Sequence, residues 1–153
     1  LDGFAFSAEV LVGKAVGQKN KDKIKNSFYI CLFWSGIFGI FLAVLYFFLG
    51  TLIVQLMTSD IEITLLSQKY IFWIIAIPLS GFLSWTLDGV FLGATETKFM
   101  RNSMFQSIVF YLIMIFLFNE FEFNGLWFSL NIFFIFRGFM LLSYFPRITE
   151  KFT

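Results

Sequence analysis

The chain has 153 residues, 59% of them apolar and only 14% charged, with a net charge of +1 and a mean hydropathy of +0.84. About a quarter of the residues in a soluble domain are charged, so a water-soluble globule is excluded, and the near-zero net charge gives no footprint for a nucleic-acid partner. Histidine is absent and the one cysteine, Cys31, lies inside an apolar run, which removes disulfides and the usual zinc or haem ligand sets and leaves Cys31 as a small packing residue.

Four stretches carry no charge at all: Ser27 to Ser59, Tyr70 to Leu87, Asn102 to Asn119, and Phe123 to Phe136. A bilayer core needs about 20 mainly apolar residues per helix, so each is long enough, or nearly so, to span. Barrel strands would alternate apolar and polar residues, and runs such as Ile37-Phe38-Gly39-Ile40-Phe41-Leu42 do not. The expected fold class is therefore all-α, a polytopic transmembrane helical bundle.

In chain order, the first element, 1–17, reads as a truncated helix ending in Gly13-Lys14-Ala15-Val16-Gly17. The chain opens on Leu1 in mid-pattern, so it is expected to be a piece of a longer protein that lacks its N-terminal part and is inactive alone. The second element covers 28–49 with a continuation toward Met57, and an amphipathic link, Ser59 to Gln68, leads to the third, 69–94. Inside the third, Pro78 removes one backbone bond and should bend the helix. Membrane helices tolerate this where neighbours satisfy the freed carbonyl. Gly81 softens the same turn, and the bend is either a hinge or a static kink. The fourth and fifth elements cover 102–118 and 125–145.

Charge placement orients these segments. Lys14, Lys19, Lys21, Lys23, Lys25, Lys98, Arg101, Arg147 and Lys151 fall in alternate links and the tail, whereas Asp60, Glu62, Glu120 and Glu122 share the other links with Lys69 alone. The basic links are expected to be cytoplasmic, and with them the C-terminus, in the plasma (inner) membrane of the cell. Trp34, Trp73 and Trp127 lie near segment ends, as interfacial anchors do.

Four ionisable residues fall inside apolar segments: Asp2, Glu9, Asp88 and Arg137. A charge at membrane depth costs several kcal/mol on insertion scales, so it usually faces a wet cavity or a partner. Asp2 and Glu9 are two helical turns, about 10 Å, apart on one face, which suggests the lining of an aqueous pocket and a proton-carrying role. Solvation of Asp2 at the outer interface is the other reading. Asp88 follows the uncharged run from Tyr70 to Leu87 and lies about two turns above the cytoplasmic link. Gly89 and Gly93 form a flat face beside it that permits close helix contact. This makes Asp88 a candidate proton or coupling-ion site, with a structural partner for a neighbouring helix as the alternative. Arg137 either pairs with one of these carboxylates or snorkels to the cytoplasmic face.

Leu1-Asp2-Gly3-Phe4-Ala5-Phe6-Ser7-Ala8-Glu9, followed by Gly13 and Gly17, resembles the eighth helix of multidrug and toxin extrusion (MATE) transporters of the DNA-damage-inducible protein F (DinF) branch. Leu87-Asp88-Gly89-Val90-Phe91-Leu92-Gly93-Ala94-Thr95, with Met100-Arg101-Asn102-Ser103-Met104, is similar to the tenth helix and the loop after it, and Arg137-Gly138 fits the twelfth. The resemblance implies a twelve-helix antiporter of two six-helix lobes around a central cavity, of which this chain would be helices eight to twelve. It implies export of organic, often cationic or amphiphilic, compounds in exchange for protons or sodium, with no cofactor beyond that coupling ion. It also implies that Asp88 occupies the place of a tenth-helix aspartate that helps bind the coupling cation. The first-lobe aspartate credited with protonation, and any acidic ligand on helix seven, would lie outside this chain.

The expected function is thus secondary active multidrug efflux, with the lipid bilayer, a small organic substrate and the missing N-terminal lobe as partners. A flippase for a lipid-linked precursor is the alternative within transport, and it would call for more cavity cations than Arg137. A non-transporting scaffold has no need of buried carboxylates. An enzyme is unsupported, since there is no His, no Gly-x-Ser-x-Gly and no metal-ligand cluster.

Overall fold

Side-chain caps decide where the helices begin. In the computed structural model, which describes residues 1–151 apart from the side chain of Glu122, the elements are α1 (Asp2–Gly17), α2 (Lys21–Met57), α3 (Ile61–Gly93), α4 (Thr97–Leu117) and α5 (Glu122–Lys151), with a 3-10 turn, Asn119–Phe121, before α5. The Asn20 side chain accepts a bond from the Lys23 amide at 3.0 Å. Asp60 accepts from the Glu62 and Ile63 amides at 2.8 and 3.4 Å. Each cap satisfies amides that have no partner inside the helix. They explain why α2 starts at Lys21, well before the apolar span expected from 28, and why most of the expected link from Ser59 to Gln68 is the opening of α3.

Helices α1 and α3 end alike. Lys19 and Thr95 take left-handed φ values of 49° and 57°. The Lys19 and Asn20 amides bond back to Val16 O and Ala15 O, and the Thr95 and Glu96 amides to Leu92 O and Phe91 O. This is the paired-bond helix stop of a Schellman motif. Left-handed backbone is uncommon for any residue with a Cβ and least comfortable for a β-branched one, so these bonds hold Thr95 against its own preference.

Helices α2, α3, α4 and α5 are long and apolar enough to cross a membrane. Helix α1 has 16 residues and is shorter than a typical span. Helix α3 is the hub and touches every other helix. Ala5 and Glu9 of α1 lie level with Gly89 and Gly93 of α3, so α1 and α3 run parallel. Gly36, Gly39 and Gly50 of α2 meet Phe82, Pro78 and Ile71, which makes that pair antiparallel. Helix α4 runs antiparallel to α5, with Phe110 on Phe136 and Phe99 on Tyr144. Successive helices therefore reverse direction, as sequential crossings require.

Helix α3 passes Pro78 without interruption. The Pro78 carbonyl abuts Gly39 of α2, 3.1 Å from where a Cβ would stand. At Gly81 a Cβ would sit 2.6 Å from the Trp85 ring, so the glycine makes room for the indole. The best-buried apolar side chains, among them Ala8, Val12, Ile24, Phe28, Leu87, Val90, Phe91, Leu141 and Ile148, gather where α1, α3 and α5 end and α2 begins, which is the end with the basic links. There Lys151 pairs with Glu96, and the Arg147 guanidinium lies over the Phe99 and Tyr144 rings. Elsewhere α2 and α4 expose Phe47, Phe48, Leu56 and Phe116, a surface suited to lipid or to further protein.

Candidate functional site

The seam between α3 and α5 carries a ladder of polar rungs. The Trp73 indole donates to Asn124 Oδ1 at 3.1 Å, the Ser80 hydroxyl to Asn131 Oδ1 at 2.9 Å, and Arg137 Nη2 to Asp88 Oδ1 at 2.8 Å. The rungs recur about every two turns on both helices, and their common order shows that α3 and α5 run parallel. The Asn131 amide nitrogen donates to Trp127 O at 3.0 Å, which turns Oδ1 toward the Ser80 hydroxyl. Two rungs are neutral and the last is a charge pair. Separately, Ser35 of α2 bonds Thr86 of α3 at 2.7 Å.

The charge pair is the site. The Asp88 side chain is 18% exposed and that of Arg137 12%. Two unit charges attract strongly in such surroundings, while losing hydration costs each of them. Partners on every polar atom would offset that cost, and here one is missing: Arg137 Nε is buried without a hydrogen-bond partner among the described residues. The contact is one bond between Nη2 and Oδ1, not the two-point fork that guanidinium and carboxylate can form. Backbone packing positions the pair. A Cβ on Gly89, next to Asp88, would fall 2.0 Å from Ala5 O, and one on Gly93 would fall 2.3 Å from Glu9 O. Bare backbone on that face is what lets α1 lie so close. On the other side Gly138, next to Arg137, brings α5 onto Leu83, 3.1 Å from where its Cβ would be.

The other ionisable candidates lie apart from this pair. Asp2 is exposed and lines a cleft of about 320 Å³ with Tyr46, Pro78 and Trp85. Glu9 is half-buried, and the contact recorded for it on α3 is made by its backbone carbonyl, at Gly93. Asp2 thus stands at a cleft and Glu9 beside the α3 backbone. The helix face that could carry both is partly used in backbone packing on α3. Among the described residues neither forms an ion pair, and no three His, Cys, Asp or Glu side chains cluster as a metal ligand set. Arg137 lies against Asp88 instead of reaching the helix end. Sequence reasoning missed Ser80, Asn124 and Asn131. Asn131, an amide in the middle of an uncharged run, was the available signal.

The MatE family model matches residues 1–118. The chain is also similar to "DNA damage-inducible protein F" of Escherichia coli (strain K12), 31% identical over 147 residues that make up 96% of this chain and 32% of that protein. The chain therefore spans about a third of the length of this curated relative. No solved structure matches it.

Proposed function

The chain belongs to the MatE family, and from that premise we propose that it forms part of a secondary active exporter of small organic compounds in which Asp88 binds the coupling cation, a proton or sodium. The family match and the four long apolar helices make it a multi-pass membrane protein. The observation that carries the proposal is the Asp88–Arg137 pair, a carboxylate held in the interior of a helical seam with one cation beside it. A charge at that depth is costly, and a scaffold would pack the same seam with apolar residues at no loss. A carboxylate that gains and loses a cation changes the net charge between α3 and α5, and this can bias two arrangements of the bundle. In this reading the basic links face the cytoplasm of a cell membrane, the C-terminus with them, and the missing two thirds of the relative's length supplies the opposite wall of the substrate cavity.

Transport of a lipid-linked precursor is the less supported reading, because the cation within the helical seam among the described residues, Arg137, is already neutralised by Asp88. The test is efflux of a fluorescent organic cation from vesicles holding the full-length protein, under imposed proton and sodium gradients in turn. Asp88→Asn is expected to abolish gradient-driven export. Export that stays ion-driven in that variant would remove Asp88 from the mechanism.

A further inference from the structure

Arg137 is more than a neutralising partner: we infer that it is a tethered counter-cation, which occupies Asp88 while no coupling ion is bound and swings off when one binds. This rests on the coupling role proposed for Asp88, and adds that the protein carries its own competitor for that site. Three observations support it.

The first is the charge inventory around α3. Helix α1 carries Asp2, Glu9 and Lys14. Helix α2 carries Lys21, Asp22, Lys23 and Lys25 at its start and none from Ser27 to its end, while α4 carries Lys98 and Arg101 in its opening turns. Among the described residues none of these pairs with Asp88, so its countercharge is one side chain, that of Arg137.

The second is the looseness of the contact. A pair built only for stability would use the fork of the guanidinium, with two parallel bonds. Here one bond at 2.8 Å does the holding, and Nε is buried without a partner among the described residues. A guanidinium held by one such bond gives up less on leaving than one held by two.

The third is the tether. Gly138 fixes the α5 backbone against Leu83, so motion falls to the long Arg137 side chain. The guanidinium can therefore leave Asp88 by rotation about the side chain's own torsions while its Cα stays in place. Exchange of guanidinium for an incoming cation keeps one positive charge at Asp88 throughout. A bare carboxylate, costly in this setting, is then never left behind, in the loaded state or on return.

The experiment uses the full-length protein in proteoliposomes and measures export against the concentration of the driving cation. Arg137→Met is expected to lower the half-saturating cation concentration by about tenfold or more, the scale on which a neighbouring opposite charge alters a carboxylate's affinity for a proton. The maximal rate should fall as well, because release now strands a naked carboxylate. Guanidinium ion added at millimolar concentration should compete in the variant and move the half-saturation back toward wild type, while leaving wild type unaffected. Arg137→Lys, which keeps a tethered cation, should stay within a few-fold of wild type. If Arg137→Met does not insert, Arg137→Gln gives the same readout, with donors but no charge. An unchanged or raised half-saturation, with no effect of guanidinium, overturns the inference. A purely structural arginine would produce that result, lowering yield and stability only. If Asp88→Asn retains ion-driven export, the coupling role of Asp88 fails instead, so the two failures are distinguishable.

Discussion

Gly89→Ala tests the packing that holds Asp88 in place. A Cβ at this position would lie 2.0 Å from Ala5 O, about 1.4 Å short of the 3.4 Å at which ordinary contact begins. The obstructing atom is a backbone carbonyl, so no rotamer change can clear it and α1 must withdraw. A gap of 0.5–1 Å already forfeits a quarter to a half of a dispersion contact, and the withdrawal would loosen Ala8 and Val12, both fully buried. Overpacking of this kind costs about 1–3 kcal/mol, and the rigid obstacle points to the upper end. Removing a helical glycine returns about 1 kcal/mol in propensity. The expected net loss is about 2 kcal/mol, roughly thirty-fold in the folded-to-unfolded ratio. Unfolding of the full-length protein by SDS titration in mixed micelles, followed by tryptophan fluorescence, measures it. Gly3→Ala is the control, because nothing lies within 4 Å of its Cβ; it should be neutral or stabilising. Equal behaviour of Gly89→Ala and Gly3→Ala would refute the claim that α1 and α3 meet backbone to backbone.

Two further outcomes are expected from the same assay. Ser80→Ala and Asn131→Leu should each destabilise by about 1 kcal/mol and show a coupling of about 0.6 kcal/mol in a double-mutant cycle, the average for hydrogen bonds between membrane helices; zero coupling would mean that the rung is not formed. Thr95→Gly should raise the unfolding midpoint, because it relieves about 1 kcal/mol of left-handed strain at φ 57° for the loss of one part-buried hydroxyl bond to the neighbouring Ala94 O. A lower midpoint would show that the Thr95 hydroxyl outweighs the strain.

The helices are legible in the sequence because uncharged runs of membrane length are rare outside bilayers. Their ends are less so: the run from Ser27 marks the apolar part of α2, while the helix itself starts at the Asn20 cap, in a lysine-rich stretch that composition alone reads as a link. Asp88 and Arg137 are legible as candidates because each interrupts an apolar segment. Their partnership is not. Asp2, Glu9 and Asp88 present the same local signal to Arg137, and the choice among them follows from α3 and α5 being parallel neighbours, which is a tertiary fact. Ser80 and Asn131 are hidden for another reason. Hydroxyls in such helices commonly bond the preceding turn, as Ser84 does to Gly81 O and Ser103 to Met100 O. Nothing local separates those serines from Ser80, whose single hydroxyl proton lies between Ile77 O at 3.1 Å and Asn131 Oδ1 of α5 at 2.9 Å.

Helix α3 meets its three most extensive neighbours by three kinds of chemistry. Toward α1 it offers bare backbone at Gly89 and Gly93; toward α2, the Pro78 carbonyl, Phe82 and the Thr86 hydroxyl; toward α5, Trp73, Ser80 and Asp88. The glycine contact depends on shape, and no change of ionisation alters it. The α5 contact depends on charge at its last rung, so it is the one that a proton or a metal cation can change. Asp88 and Gly89 are adjacent in sequence yet belong to contacts of opposite character. A change in the charge state of Asp88 should therefore alter how α3 meets α5 while leaving α1 seated on α3. A pair of helices locked by shape beside a pair held by charge is the arrangement that the proposed ion-driven movement calls for.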